Sequence, residues 1–196
     1  MMNENDIKNK LISSIGTKRL NHSIRVMDTA MSLSRKYNVS LKKTLIAALL
    51  HDCGRLKDDN EVLNKMKHYG IILDNGTSNN LNLQHSILGR YIASEEFGIE
   101  DSEILNAIRF HTTGRKNMTD IEKIIYLADA IEPDRVYEGV GLIREMSLVD
   151  LDGALLASLE QTLGFLKEKN VSINKNTIEA IEWLKNTNKI QEVVFE

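Results

Sequence analysis

The chain is poor in the residues that break or staple structure. Its 196 residues include one proline, Pro133, one cysteine, Cys53, and only 5% aromatics. A single thiol excludes an intramolecular disulfide framework and points to a reducing compartment. No apolar run approaches the roughly 20 residues of a membrane span, and Met1 to Lys10 is polar, without a signal-peptide core. Neither sign of charge dominates. The formal net charge is −3 with both signs interspersed, which leaves no basic surface for a nucleic-acid polymer. The expectation is a soluble, cytoplasmic protein that binds neither membrane nor nucleic acid.

What is abundant is Leu, Ile, Ala, Lys and Glu, which favours helices over sheet. A hydrophobic content of 42% is enough for a full core. Apolar residues recur at helical spacing from about Glu4 to Thr17, with Gly16 as a stop, and again up to Tyr37, where Asn21 can act as the cap. Ser40 caps a third helix. Asp58 or Asp59 opens one that runs to Tyr69, and residues 70–80 (with Asp74-Asn75-Gly76) read as a polar, turn-rich connection. Further helices are expected from Asn82 to Phe97, from Asp101 or Ser102, and from Thr119, where Glu122 completes a capping box. Pro133 ends or kinks that last one. Helical patterns resume over 134–146, 148–169 and 174–188. Strand-like alternation is confined to Glu192-Val193-Val194-Phe195, too short to define a strand. These patterns predict an all-α bundle: one domain over 1–196, its core at about 18–146, with C-terminal helices over 148–188 packed on it.

The run Leu45-Ile46-Ala47-Ala48-Leu49-Leu50 has no polar face and ends in His51-Asp52. A helix of that composition is buried on all sides, and a carboxylate at its tip needs partners. His22, His85 and His111 also lie on or beside apolar stripes. Asp129 falls at i+8 from Ile121, where the pattern asks for a hydrophobe. Any one of these is ordinarily a hydrogen-bonded core residue; six in one small helical chain point to a common purpose. His68 lacks such a face and reads as a surface residue, and Cys53 reads as a small buried thiol.

Mixed imidazole and carboxylate donors suit Fe, Mn, Zn or Co better than Mg or Ca. The absence of thiolates argues against a closed structural zinc site. Six donors exceed what one open ion needs, so the set admits one or two ions, with a carboxylate as the bridge. That chemistry serves hydrolysis of phosphate esters or anhydrides. Arginines lie beside these donors, and guanidinium forks bind phosphate bidentately. Arg19 and Arg25 flank His22, Arg55 follows Asp52, Arg109 and Arg115 bracket His111, and Arg135 follows Asp129. Arg25, Arg55 and Arg135 are the preferred phosphate contacts.

The order His22, His51-Asp52, His85, His111, Asp129 resembles that of the HD-domain metal-dependent phosphohydrolases. The stretch Ile108 to Arg115, followed by Glu122 to Arg135, resembles more specifically the YqeK branch, bacterial enzymes that split diadenosine tetraphosphate symmetrically into two ADP. The likeness spans roughly residues 5 to 186 and is strongest from His111 to Arg144.

The resemblance implies that His22, His51, Asp52 and Asp129 hold a metal, often iron, with manganese or cobalt as alternatives. It implies that His85 and His111 complete a second metal position or contact the phosphates, which with Asp52 makes the catalytic set. Nucleotide phosphates are then expected near Arg19, His22, Arg25, Arg55, His85, His111, Thr112, Asp129 and Arg135. The nucleoside is expected near Val171, Ser172, Ile173, Asn174, Lys175 and Asn176. The expected partners are a dinucleoside polyphosphate substrate, ADP as product, and a second copy of the chain in a homodimer. Two features depart from the family: Arg55 stands where a lysine is common, and Ser86-Ile87-Leu88 replaces a small-Pro-Val run after His85. The alternatives to symmetrical cleavage are an HD-type nucleotidase, a cyclic-dinucleotide phosphodiesterase, or a non-catalytic nucleotide-binding regulator.

Overall fold

The computed structural model describes residues 3–72 and 81–194 (backbone only at 81, 82 and 188–194). Among these residues it has ten helices and no strand: α1 Glu4–Ser14, α2 Thr17–Lys36, α3 Leu41–Leu50, α4 Asp59–His68, α5 Leu81–Phe97, α6 Ser102–Phe110, α7 Asp120–Ile131, α8 Val140–Ser147, α9 Leu151–Glu168 and α10 Lys175–Val194. The all-α expectation holds. No helix among the described residues is long and apolar enough to cross a membrane. The expected turn at Asp74-Asn75-Gly76 lies outside the described residues.

Helix α3 is the hub. It packs on α2, α6 and α7, and these four helices bury Ile46 to Leu50 completely or nearly so. Each fully buried Leu or Ile removed from water contributes about 1.5–3 kcal/mol, so the tip of α3 is held by its apolar body rather than by its polar end. Helix α5 covers α6, while α9 lies across α7 and α8 and carries α10 on its outer side. The helix starts follow their caps. Ser40, Asp58, Asp101 and Asp150 each accept backbone N–H bonds at the mouths of α3, α4, α6 and α9. Glu122 Oε2 accepts the N–H of Thr119 at 2.7 Å, the return half of the expected capping box.

Three boundaries differ from the sequence reading. Helix α2 begins at Thr17, so Asn21 is an exposed mid-helix residue. Gly16 turns the chain at a φ of 82°, and its carbonyl already accepts Leu20 N–H. Residues 134–139 are not helical, and α8 starts only at Val140. Pro133 disfavours helical backbone at Glu132, which is extended (φ −52°, ψ 155°), and Gly139 enters α8 from the left-handed region. At the C-terminus, Glu192 to Val194 continue α10 instead of forming a strand.

Candidate active site

The end of α3 brings its polar tip against α5 at unusually close range. A Cβ on Gly54 would sit 2.1 Å from the His85 carbonyl oxygen and 2.7 Å from Gly89 N. Only glycine permits that approach, and Cys53 Sγ–H donates to the Gly89 carbonyl beside it at 3.2 Å. The consequence is that His85 Nε2 lies 3.1 Å from Asp52 Oδ1, although the two residues are far apart in sequence. Cys53 itself is buried, and burial raises its thiol pKa well above the ordinary value, as expected of an inert core cysteine.

Asp52 is the centre of the cluster. His111 Nε2 is 3.6 Å from Oδ1, while His51 and His22 Nε2 are 3.5 and 3.8 Å from Oδ2. Asp129, one helix away on α7, puts Oδ1 3.0 Å from His22 Nε2 and 3.9 Å from His51 Nε2. His51 donates Nδ1–H to Ala48 O and His111 to Ile108 O, both at 2.7 Å. Because a carbonyl can only accept, both rings carry their proton on Nδ1 and turn Nε2 inward. His22 Nδ1 instead faces Glu132 Oε1 at 3.1 Å.

The charges have identifiable effects. Burial works against an ionised Asp52, but His51 foremost, with the His111 and His85 rings beside it, holds its carboxyl well below the usual range. Asp129 is lowered in the same way: burial opposes it, and the neighbouring His22, His51 and Arg135 prevail. Burial also works against a charged His51, yet Asp52 raises its pKa. His85 goes the other way, pushed down by burial to about 4.

These donors fit a metal ion. The Nε2 atoms of His22 and His51 are buried without a hydrogen-bond partner, and both face carboxylate oxygens. Electron pairs gathered on buried nitrogen and oxygen atoms repel one another unless a cation or a proton stands between them. The ligand atoms of His22, His51 and Asp129 lie within 4.8 Å of one another, and so do those of His51, Asp52 and His111. With imidazole and carboxylate donors and no thiolate, a divalent transition metal suits this site.

A cavity of about 540 Å³ opens from the cluster. Its wall includes Arg55, His111, Thr112 and Asp129 together with Val171, Ser172 and Asn174. Ile173, Lys175 and Asn176 are not part of that wall; Lys175 is exposed and pairs with Glu179. Thr112 Oγ1 donates to Ser86 Oγ, fastening the turn after α6 to α5. The arginines are already engaged. Arg19 and Arg55 each hold one oxygen of Asp52 at 2.9 Å. Arg135 bonds to the Asp129 carboxylate and, at 2.8 Å, to its backbone carbonyl. Arg25 spans Glu132 and Asp134, and Arg115 pairs with buried Glu122.

The sequence profile of the HD domain matches residues 19–134, a span that contains all six central residues. The chain belongs to the HD domain family. It is 42% identical over 164 residues to a protein of Halalkalibacterium halodurans named bis(5'-nucleosyl)-tetraphosphatase, symmetrical, covering 82% of this chain and 85% of that one. A Staphylococcus aureus protein of the same name is 34% identical over 187 residues, 93% of this chain and 94% of that one. A crystal structure from Clostridium acetobutylicum, described as a predicted HD superfamily hydrolase involved in NAD metabolism, superposes with a TM-score of 0.90 at 40% identity, covering 95% of this chain and 99% of that one.

Sequence reasoning singled out the residues around Asp52 but overlooked two groups, one inside the HD domain match and one beyond it. Glu132 is buried, with Oε1 on His22 and Oε2 on Arg25 at 2.8 Å. Its signal was a carboxylate immediately before the chain's only proline. The second group is the cavity face of α9: Thr162, Phe165 and Leu166, continued by Lys169. These fall at i, i+3, i+4 and i+7, a stripe that reads equally well as core packing.

Proposed function

We propose that this chain is a metal-dependent hydrolase that splits diadenosine tetraphosphate at its central anhydride to give two ADP. The observation that carries the reading is the opening of the His/Asp cluster directly into a nucleoside-sized cavity whose near wall bears Arg55 and Thr112. Relatives of 34% and 42% identity that bear the name of that activity support it. His22, His51, Asp52 and Asp129 are the residues that would hold the metal, with His85 and His111 completing the site. A divalent cation there supplies Lewis acidity toward phosphate oxygens and makes water nucleophilic near neutral pH.

The remaining work falls to the chain's own side chains. A cavity of about 540 Å³ is in the range that encloses one drug-sized ligand, so one ADP half sits inside and the other projects outward. Arg55 and Arg135 neutralise phosphate charge close to the cleaved bond, with Thr112 beside them on the cavity wall. The apolar face of Phe165 and Leu166 shields the nucleoside, while Ser172 and Asn174 offer polar edges to it. ADP leaves as a stabilised anion and needs no strong general acid. Iron as the resident metal, a cytoplasmic location, a single domain over the whole chain and a homodimer complete the reading.

Chelation tests it. Hydrolysis of diadenosine tetraphosphate is expected to disappear on removal of metal and to return with ferrous iron, manganese or cobalt. Turnover that persists in metal-free protein contradicts the proposal.

A further inference from the structure

Glu132 occupies a position that the hydrolytic chemistry itself does not require. It follows the last residue of α7, where the backbone leaves the helix in extended geometry and Pro133 bars its continuation. The Arg144 side chain on α8 pins this turn, donating to the carbonyls of Ile131 and Glu132 at 2.8 Å and of Arg135 at 2.9 Å. The Glu132 side chain folds back into the protein and is only 2% exposed.

A buried carboxylate is tolerated only when its oxygens are satisfied. Oε2 accepts from Arg25 Nε and from the Asp134 N–H, both at 2.8 Å. Oε1 is left for His22 Nδ1 at 3.1 Å. An ionised carboxylate is an acceptor only, so the ring must place a proton on Nδ1. That choice puts a lone pair on Nε2, which is buried, lacks a hydrogen-bond partner and faces Asp129 Oδ1 at 3.0 Å. His51 and His111 achieve the same orientation through backbone carbonyls. Among these three rings, His22 is the one oriented by a charged group.

We infer that Glu132 is a positioning residue: through its contact with His22 Nδ1 it fixes the tautomer and ring orientation of His22 as a metal ligand. This inference rests on the reading of His22 as a ligand. A carboxylate behind a ligating imidazole commonly changes metal affinity 10- to 100-fold. Glu132 touches one of the ligating rings, so an effect on metal affinity exerted through that contact depends on the ring being present.

A double-mutant cycle on the full-length protein tests the inference, with Co²⁺ affinity read from visible absorption. Glu132→Gln is expected to weaken Co²⁺ binding by about 10- to 100-fold in the otherwise unchanged chain, and by less than about twofold in the His22→Ala background, where no coupling remains. Equal losses in both backgrounds would mark Glu132 as a merely structural residue and overturn the inference. So would a Glu132→Gln affinity within twofold of the parent while His22→Ala binds weakly; that outcome leaves the metal site itself standing. An unchanged affinity in His22→Ala would remove His22 from the site and the inference with it. A second measurement needs no variant. In the Zn²⁺-loaded parent protein, histidine ¹H–¹⁵N correlation is expected to show a proton on His22 Nδ1, and an unprotonated Nδ1 would overturn the inference even if Glu132→Gln fails to fold.

Discussion

His51 and His111 end their helices in the same way. Each is the cap residue of its helix, α3 or α6, and each donates Nδ1–H to the carbonyl three residues back at 2.7 Å. A three-residue local bond thus fixes both tautomers without any long-range partner, and the packing of α3 on α6 sets the two rings edge to face with centroids 5.0 Å apart. The inward Nε2 atoms then lie 3.5 and 3.6 Å from the two oxygens of Asp52.

Asp52 is the residue on which these donors converge, so its removal is expected to dismantle the site. Asp52→Ala should leave the purified protein without stoichiometric transition metal and without turnover, as measured by elemental analysis and hydrolysis assay. Retention of either property would remove Asp52 from its central role.

Gly54 tests how tightly the backbone sets that geometry. The added methyl of Gly54→Ala meets backbone atoms of His85 and Gly89 rather than the end of a flexible side chain, so α3 and α5 must separate. Overpacking of this kind costs about 1–3 kcal/mol. The variant is expected to melt several degrees lower and to lose activity out of proportion, because the 3.1 Å contact between His85 and Asp52 opens with it. Denaturant unfolding and kcat measured on the folded fraction check both effects.

Much of this was legible in the sequence. The helix periodicity, the caps at Ser40, Asp58 and Asp101, and six polar residues on apolar stripes sufficed for an all-α fold with one cluster around Asp52. Two of the misses share a cause. The turn after α7 depends on Arg144, which collects carbonyls from 131 to 135 across the start of α8, and no local pattern announces such a bond. Glu132 was hidden for the same reason: its partner His22 is 110 positions away. The cavity face of α9 was masked because a stripe lining a cavity has the same period as one buried in a core. Arg25 stands near His22 in sequence, but its pairing with Glu132 and Asp134 is a long-range contact that proximity does not announce.

Arg144 should therefore matter more than a surface arginine. A hydrogen bond from a charged donor contributes about 1.5–3 kcal/mol, and the three part-buried bonds of Arg144 act on one turn rather than adding in full. Arg144→Ala is expected to lower stability by about 2–3 kcal/mol and to reduce metal affinity through the displaced Glu132. Stability unchanged to within about 0.5 kcal/mol would show that Pro133 alone holds the turn.

The two oppositely shifted histidines give the metal-free protein a stability optimum. His85 has a folded pKa of about 4 against an ordinary 6.5. Between those values the unfolded chain binds the extra proton, so stability rises with pH over that window, by at most about 1.4 kcal/mol per unit. His51 has a folded pKa raised above 6.5; its contribution is fully present below 6.5 and is lost as pH rises through the folded value. Urea unfolding between pH 4.5 and 8 is expected to show a maximum near pH 6.5. His85→Asn should flatten the acidic limb; a limb of unchanged slope would contradict the assignment.

Phe165 sits on the cavity wall while remaining 58% exposed, so its loss should leave the fold intact. Stacking of a base on an aromatic ring contributes about 1–3 kcal/mol. Phe165→Ala is expected to raise KM for diadenosine tetraphosphate about tenfold, with kcat and melting temperature little changed. An unchanged KM would place the nucleoside elsewhere.

Chromatography of the products formed from diadenosine tetraphosphate by freshly purified, metal-analysed protein tests the central claim most directly. ADP is expected as the sole product, formed at two per substrate consumed. ATP together with AMP would mean attack at an outer anhydride and would contradict symmetrical cleavage. Metal-replete protein that leaves the substrate intact would contradict the assignment altogether.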